Sequence, residues 1–389
     1  MTYDFDELLE RRGTDSVKWD GVRDVWGRDD LLPLWVADMD FRTPSFVMEA
    51  LKRQLSGGVL GYTRPCADWA PAICDWLLRR HGWQVETGWI SFVPGIVRAQ
   101  ALALLCFTRP GDRVAVMNPV YHPFFLVTQR LEREVVFSPL VLRDGHYHID
   151  YARLEQDLDG CRVLILCNPH NPGGRVWTED ELRRVADICH RRGVMVLSDE
   201  IHADLTLPGY RHHPFATVSP QAAAISLTFM APSKAFNMPG LASSYAIAVD
   251  PGIRRRFQTF LEAGEFGEGH MLAYVGCAAA YREGEEWLGQ LLDYIQGNID
   301  FTEQFLKERI PAIGMIRPQA SYLIFLDCRR LGLPQPELVN LFVDKAHLAL
   351  NDGTMFGRGG EGFMRLNVGC PRSVLRRALE QLEEAVSHL

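Results

Sequence analysis

Four short apolar runs in this 389-residue sequence are each followed at once by side chains able to do chemistry. DRVAVM (112–117) leads into NPVYHPFF with Asn118 and Tyr121, and CRVLILC (161–167) into NPHNPGG with Asn168 and Asn171. GVMVLS (193–198) leads into DEIHADL with Asp199 and His202, and AISLTF (224–229) into MAPSK with Lys234. Taken singly, Tyr121 reads as a packing aromatic, Asn171 before Pro172 as a turn former, Asp199 as a helix cap and Lys234 as a surface cation. Turn chemistry does not require all four together. Lys234 also stands in an uncharged stretch, MAPSKAFNMPGL, with no acid near it in sequence. An unpaired ammonium is costly to bury unless its pKa falls.

The set has the chemistry of a pyridoxal phosphate site. A lysine amine condenses with an aldehyde, and a carboxylate opposite a pyridine nitrogen keeps that nitrogen protonated, so that the ring can absorb carbanion electrons. Lys234 and Asp199 are of those types. Asn171 can donate to a phenolic oxygen and Tyr121 can stack on a ring. His202, three residues after Asp199, reads equally as a support for Asp199, a contact to the ring oxygen or a plain structural histidine. A phosphate needs donors as well. SFVPGIVRAQALALL runs from a Gly-containing turn into a helix, offering the amides of Gly95, Ile96 and Val97 to an anion at the positive helix end, and Ser233 adds a hydroxyl.

The apolar runs must supply the frame. They lack polar alternation, as does SYAIAV (244–249), and so suit strands covered on both faces. Helix-like segments lie between them. In TEDELRRVADICHRRG, Thr178 with Glu181 makes a capping box and Gly193 a stop. The alternation predicts an α/β fold with a mainly parallel sheet, in which ligands bind beyond the carboxyl ends of the strands. The last hundred residues read as helix (EEWLGQLLDYIQGNIDFTEQFLKERI), strand (ASYLIFLDC) and helix (VLRRALEQLEEAVSHL), a smaller α+β lobe completed by the N-terminal segment. The expected division is a large domain over 46–286 and a small one over 1–45 and 287–389.

Composition excludes several function classes. The chain is 47% apolar and 23% charged, with a formal net charge of -8 and no basic cluster, which argues against nucleic acid as a partner. The start, MTYDFDELLERRG, is acidic and lacks an apolar h-region, and no run approaches ~18 apolar residues, so a soluble, cytoplasmic protein without membrane contact is expected. Nine cysteines without CxxC or His/Cys ligand spacing read as reduced thiols, with neither disulfides nor a metal site.

With these residues in place, the chain resembles the fold type I pyridoxal phosphate enzymes of the aminotransferase class I/II superfamily, and within it the MalY/PatB group of cystathionine β-lyases and C-S lyases. GTDSVKWD, LPLWVADMDF, LGYTRP, VPGIVRAQ, NPVYHPF, CNPHNPGGRVW, SDEIHADL, APSKAFNMPGL and FMRLNVGCPR carry the resemblance. It implies a seven-stranded, mainly parallel sheet and pyridoxal 5'-phosphate as cofactor. Lys234 becomes the lysine that binds it covalently, Asp199 the pyridinium partner, Asn171 the phenolic-oxygen donor and Tyr121 the stacking ring. Arg365 becomes the clamp for the substrate α-carboxylate, with Asp38 and Met39 of LPLWVADMDF also at the substrate. Tyr62 would reach the cofactor phosphate or substrate of a neighbouring subunit in a homodimer. Ala242 and Ala231 stand where many relatives carry an arginine and a serine for the phosphate, and the stretch around Glu268, His270 and Met271 matches the group loosely. FGRGGEG (356–362) reads as a mobile loop ahead of Arg365.

The reaction expected is β-elimination from a cysteine S-conjugate or a cystathionine-like amino acid, giving a thiol, pyruvate and ammonia. Transamination is the nearest alternative, and a variant that decarboxylates or oxidatively deaminates an S-conjugate a third. A regulatory protein that binds the cofactor without catalysis is the alternative from outside enzymology.

Overall fold

The expected alternation resolves into a seven-stranded sheet in the computed structural model, which describes residues 2–389. Its strands are β1 (Ile90–Val93), β2 (Arg113–Asn118), β3 (Glu134–Pro139), β4 (Cys161–Cys167), β5 (Met195–Asp199), β6 (Ser226–Met230) and β7 (Ser244–Ile247). They lie side by side in the order β1-β7-β6-β5-β4-β2-β3. Only β7 runs against its neighbours, pairing antiparallel with both β1 and β6, so the sheet is mixed but mostly parallel.

The central strands β4 and β6 are buried along their length apart from Arg162, because both faces of the sheet are covered. One cover is α1 (Ile96–Phe107), entered through Gly95 at φ 101. Another is α2 (Glu179–Arg192), where Thr178 Oγ1 accepts from the Glu181 amide, Glu181 reaches back to the Thr178 amide, and Gly193 at φ 65 ends the helix. Both ends of α2 lie where the sequence puts them.

The C-terminal part is built on α3 (Glu285–Arg309), a four-stranded sheet and the closing helix α4 (Arg372–Ser387). That sheet holds β8 (Gly314–Ile316), β9 (Leu323–Asp327), β10 (Asn351–Asp352) and β11 (Phe363–Asn367) in the order β8-β9-β11-β10. The N-terminal segment joins this part through a separate two-stranded sheet, with Leu32 and Pro33 paired in parallel to Leu348 and Ala349. The two separate sheets are the ground on which we propose domain junctions near 45 and 286. A single apolar cluster nevertheless crosses from Trp76 and Phe236 to Trp287 and Ile295. All nine cysteines are free thiols. Among the described residues no helix is long and apolar enough to cross a membrane.

One buried charge cluster ties the N-terminal segment down. Lys18, fully buried, donates from Nζ to Asp40 Oδ2 at 2.7 Å and to the Asp38 carbonyl at 3.3 Å. Asp40 Oδ1 accepts from Arg11 (2.7 Å) and Trp19 Nε1 (2.9 Å). Burial alone would raise the Asp40 carboxyl; Lys18 and these donors outweigh it and hold it below its ordinary range. Its contribution to stability is therefore present above the ordinary carboxylate pKa and lost as pH falls through the depressed one. Removing Lys18 leaves the buried Asp40 carboxylate with Arg11 as its one remaining cation and its Oδ2 without a donor. Lys18→Met should cost about 3–5 kcal/mol in urea unfolding; a loss under about 1 kcal/mol, the value of an exposed pair, would refute the anchoring role.

Candidate active site

The carboxyl ends of β2, β4, β5 and β6 meet at a cavity of about 180 Å³. Tyr121, Asn171, Asp199 and Lys234 all line it, which joins the four strand-end residues picked out by sequence. Gly95, Ile96 and Val97 close one side, and His202 and Ser233 another.

Asp199 is the last residue of β5 and is buried. Its Oδ2 accepts from Gln100 Nε2 (2.9 Å) and its Oδ1 from the Ile201 amide (3.1 Å). Among the described residues no cation forms an ion pair with it. Burial, with Glu200 alongside, pushes its carboxyl up to about 7 against the opposing pull of those two donors and of Lys234.

Lys234 sits in the turn after β6, and its Nζ donates to the Ala37 carbonyl at 2.5 Å. Part of its surface faces an open cleft, yet the ammonium is surrounded by protein. Burial brings it down to about 8, Arg365 pushes the same way, and Asp38 and Asp199 oppose. An amine in that range is available as nucleophile or base near neutrality, as an ordinary lysine is not.

Arg365, on β11, reaches the same place from the C-terminal sheet and is 5% exposed. Its Nη1 donates to Asn171 Oδ1 (3.2 Å), and its Nη2 to Asn351 Oδ1 (2.6 Å) and the Trp35 carbonyl (3.0 Å). Phe356 packs against the guanidinium at 4.9 Å. Nε has no partner, and burial lowers the group to about 10. These bonds leave part of a fixed, desolvated donor fork open, which suits a carboxylate.

His202 is buried, with Nδ1 unpartnered. Burial, then Lys234 and Arg365, bring it down to about 3, so it is a neutral imidazole. It makes no hydrogen bond to Asp199, a place Gln100 takes instead. At the start of α1, Gly95 N–H turns back onto the Val93 carbonyl (3.0 Å), so of the three expected amides only those of Ile96 and Val97 are left open. Ala242, at φ 46, lines the cavity without adding a polar side chain.

A cleft of about 940 Å³ opens on the other side of Lys234, walled by Asp38 and Met39 and by Met238 to Leu241. The Asp38 carboxylate is engaged by Arg11 at 2.7 Å, and Met39 N–H is held by Asn237 Oδ1 at 2.9 Å. Both residues border the cleft, but Asp38 is committed to the N-terminal cluster. His270 contacts the Leu241 carbonyl at 2.9 Å behind that wall. The 356–362 loop, expected to be mobile, is fastened by Val120 N–H to the Phe356 carbonyl (2.8 Å) and by Asn118 Nδ2 to the Arg358 carbonyl (2.7 Å). Tyr62 is fully exposed and belongs to neither cavity wall.

Sequence reasoning missed Gln100, Asn351 and the carbonyls of Trp35 and Ala37. Gln100 carried a signal, a lone amide inside the apolar run of α1. The two carbonyls carried none, because any residue supplies one.

Comparison with known proteins gives the family. The family model described as aminotransferase class I and II matches residues 29–382. Cystathionine beta-lyase PatB of Bacillus subtilis is 44% identical over 385 residues, covering 98% of this chain and 100% of that protein. Protein MalY of Escherichia coli is 32% identical over 388 residues, covering 99% of each. The crystal structure of cystalysin from Treponema denticola, which contains pyridoxal 5'-phosphate, superposes with a TM-score of 0.96 at 36% identity, covering 100% of both chains. The chain belongs to the aminotransferase class I and II family.

Proposed function

We propose that this chain is a pyridoxal 5'-phosphate-dependent carbon-sulfur β-lyase, which cleaves a cysteine S-conjugate or a cystathionine-like amino acid to a thiol, pyruvate and ammonia. The observation that carries the proposal is a cavity lined by both an amine of lowered pKa and a buried carboxyl without a cation, with a buried guanidinium bonded to Asn171 of its wall, in a chain similar over its whole length to PatB and MalY.

The residues fit the cofactor on their own chemistry. Burial brings the Asp199 carboxyl up to about 7 and no cation forms an ion pair with it among the described residues, and the open amides of Ile96 and Val97 stand at the positive end of α1. When bound, pyridoxal phosphate supplies an aldehyde and a protonated ring that takes up the electrons of an adjacent carbanion. Lys234 would hold it through Nζ, and Asp199 would keep a proton on the ring nitrogen. Asn171, whose Oδ1 faces Arg365, has its Nδ2 to donate, and Tyr121 supplies an aromatic surface. Ile96, Val97 and Ser233 would take the phosphate, without help from Ala231 or Ala242.

Arg365 would orient the substrate by its α-carboxylate. Lys234, released by the substrate amine, would remove the Cα proton, and a thiolate would then leave from Cβ. The shift at Lys234 is what makes one group serve in both capacities. We further propose a homodimer in which Tyr62 reaches the site of the other copy. The support is its exposure, together with that of Val59 (79%) and Leu60 (76%), on a segment its own chain leaves uncovered.

Three measurements test this reading. Purified protein given cystathionine or S-benzylcysteine should release pyruvate and free thiol with no oxo-acid acceptor, and Lys234→Ala should lower turnover by at least ~10²–10⁴-fold; product formed only with 2-oxoglutarate would make it an aminotransferase. Reductive methylation of the cofactor-free chain, read at Lys234 by mass spectrometry, should rise with pH about a midpoint near 8, because burial disfavours the ammonium. A midpoint near 10.5, the ordinary value, would remove the case for a base at this position. Mixing Tyr62→Ala with Lys234→Ala chains should restore activity above either parent, since a mixed dimer holds one intact site; no recovery on subunit exchange would refute the shared site.

A further inference from the structure

A separate cavity of about 330 Å³ shares no wall residue with the site above. That volume is at the small end of the ~300–1,000 Å³ of small-molecule sites. Its floor is apolar, formed by Phe137 at the end of β3, by Leu142 and Tyr147 on the hairpin of strands Val141–Arg143 and His146–His148, and by Phe363 at the start of β11. Every charged side chain in its wall is an arginine: Arg153, Arg329 and Arg358.

None of the three is saturated. Arg153 gives only Nε to Asp157 (2.9 Å), and Arg329 gives Nε and Nη2 to Asp327 (2.8 and 2.7 Å). The Arg358 side chain makes no hydrogen bond or ion pair among the described residues. Asp157 and Asp327 are not part of the wall, and Glu361 touches it only by accepting from the Gly359 amide (2.8 Å), so the charged side chains that line the cavity are all cationic. Two buried polar atoms of wall residues also lack partners, Tyr147 Oη and Asn118 Oδ1, on side chains each 2% exposed. Buried polar atoms are nearly always satisfied, and an orphaned pair beside a cavity points to a missing partner. Burial raises the Tyr147 phenol well above its usual range, so it stays a donor.

We propose that this cavity is a second binding site, for a small monocarboxylate with an aromatic or alkyl body. The guanidinium forks match a carboxylate, the floor matches an apolar body, and Tyr147 offers a further donor. The position gives such a ligand access to the active site through two segments. Asn118 and Pro119 lead within a few residues to Tyr121. Arg358 and Gly359 follow Phe356, which rests on Arg365. Gly357 and Gly359, at φ 92 and 89, hold that loop against Asn118 and Pro119 in a backbone conformation other residues rarely adopt. The proposal stands on the cavity itself and is independent of which reaction the enzyme performs.

Isothermal titration of the full chain loaded with pyridoxal phosphate tests it, with 3-phenylpropionate, 3-phenylpropionamide and inorganic phosphate as probes. The wild-type chain should show saturable binding of 3-phenylpropionate that survives Arg365→Lys. Both Arg358→Glu, at an exposed position, and the cavity-filling Leu142→Trp should weaken it at least about tenfold, and the amide and phosphate should not bind. Three results would overturn the proposal: no saturable binding, binding lost in Arg365→Lys but unchanged in the other two variants, or phosphate binding as tightly as 3-phenylpropionate.

Discussion

Asp199 is a carboxyl that the fold buries at the end of β5 without giving it a cation. The nearest candidate, Lys234, points its ammonium at the Ala37 carbonyl instead. An uncompensated carboxylate is expensive inside a protein, and its response is to hold a proton up to about pH 7. Lys234 shows the converse, losing its proton more easily than an exposed amine. The two groups therefore fail to neutralise each other, although they face one cavity. A ligand that presents a cationic nitrogen to the first and an electrophile to the second relieves both conditions at once, which is why the proposed cofactor suits the chain better than water does.

That arrangement depends on a stretch with almost no regular structure. Residues 35–41 run between the two sheets, and their carbonyls serve as fixed acceptors: Trp35 for Arg365, Val36 and Asp38 for Asn367, and Ala37 for Lys234 and Tyr322. Irregular backbone keeps such geometry only when side chains replace the missing ladder bonds. Lys18, Arg11 and Trp19 do so through Asp38 and Asp40, and Asn237 does so through Met39 and Phe41. The GTDSVKWD and LPLWVADMDF segments, remote from any chemistry of their own, are thus the two halves of the clamp that places the lysine and the arginine.

The strand ends were legible because burial on both faces leaves an unbroken apolar run whose last residue can be read directly. Thr178, Glu181 and Gly193 marked a helix for a similar reason, since capping uses specific side chains. The edge strands were not legible by pattern. β1, ISFV, is only four residues long and broken by Ser91, and β3, EVVFSP, mixes exposed and buried positions without a continuous apolar run. The direction of β7 was hidden too. A strand covered on both faces has the same composition whichever way it runs, and Ser244 to Ile247 is buried along its whole length. Residues acting through carbonyls, as at positions 35 and 37, are invisible in principle, because the group that matters is common to all residues.

Lys234 also forms the partition between two spaces of different character. Asp199, the α1 amides and Ser233 close the inner cavity of about 180 Å³, whereas the outer cleft of about 940 Å³ is open and walled by the N-terminal segment and Met238 to Leu241. A group bound in the inner space must have its reactive end at Nζ, and a substrate arriving through the outer one meets the same atom. An amine placed elsewhere on the rim would touch only one of the two. The turn after β6 brings Nζ to the boundary, and the Ala37 carbonyl fixes it there, so the double role proposed for this side chain follows from its position as much as from its basicity.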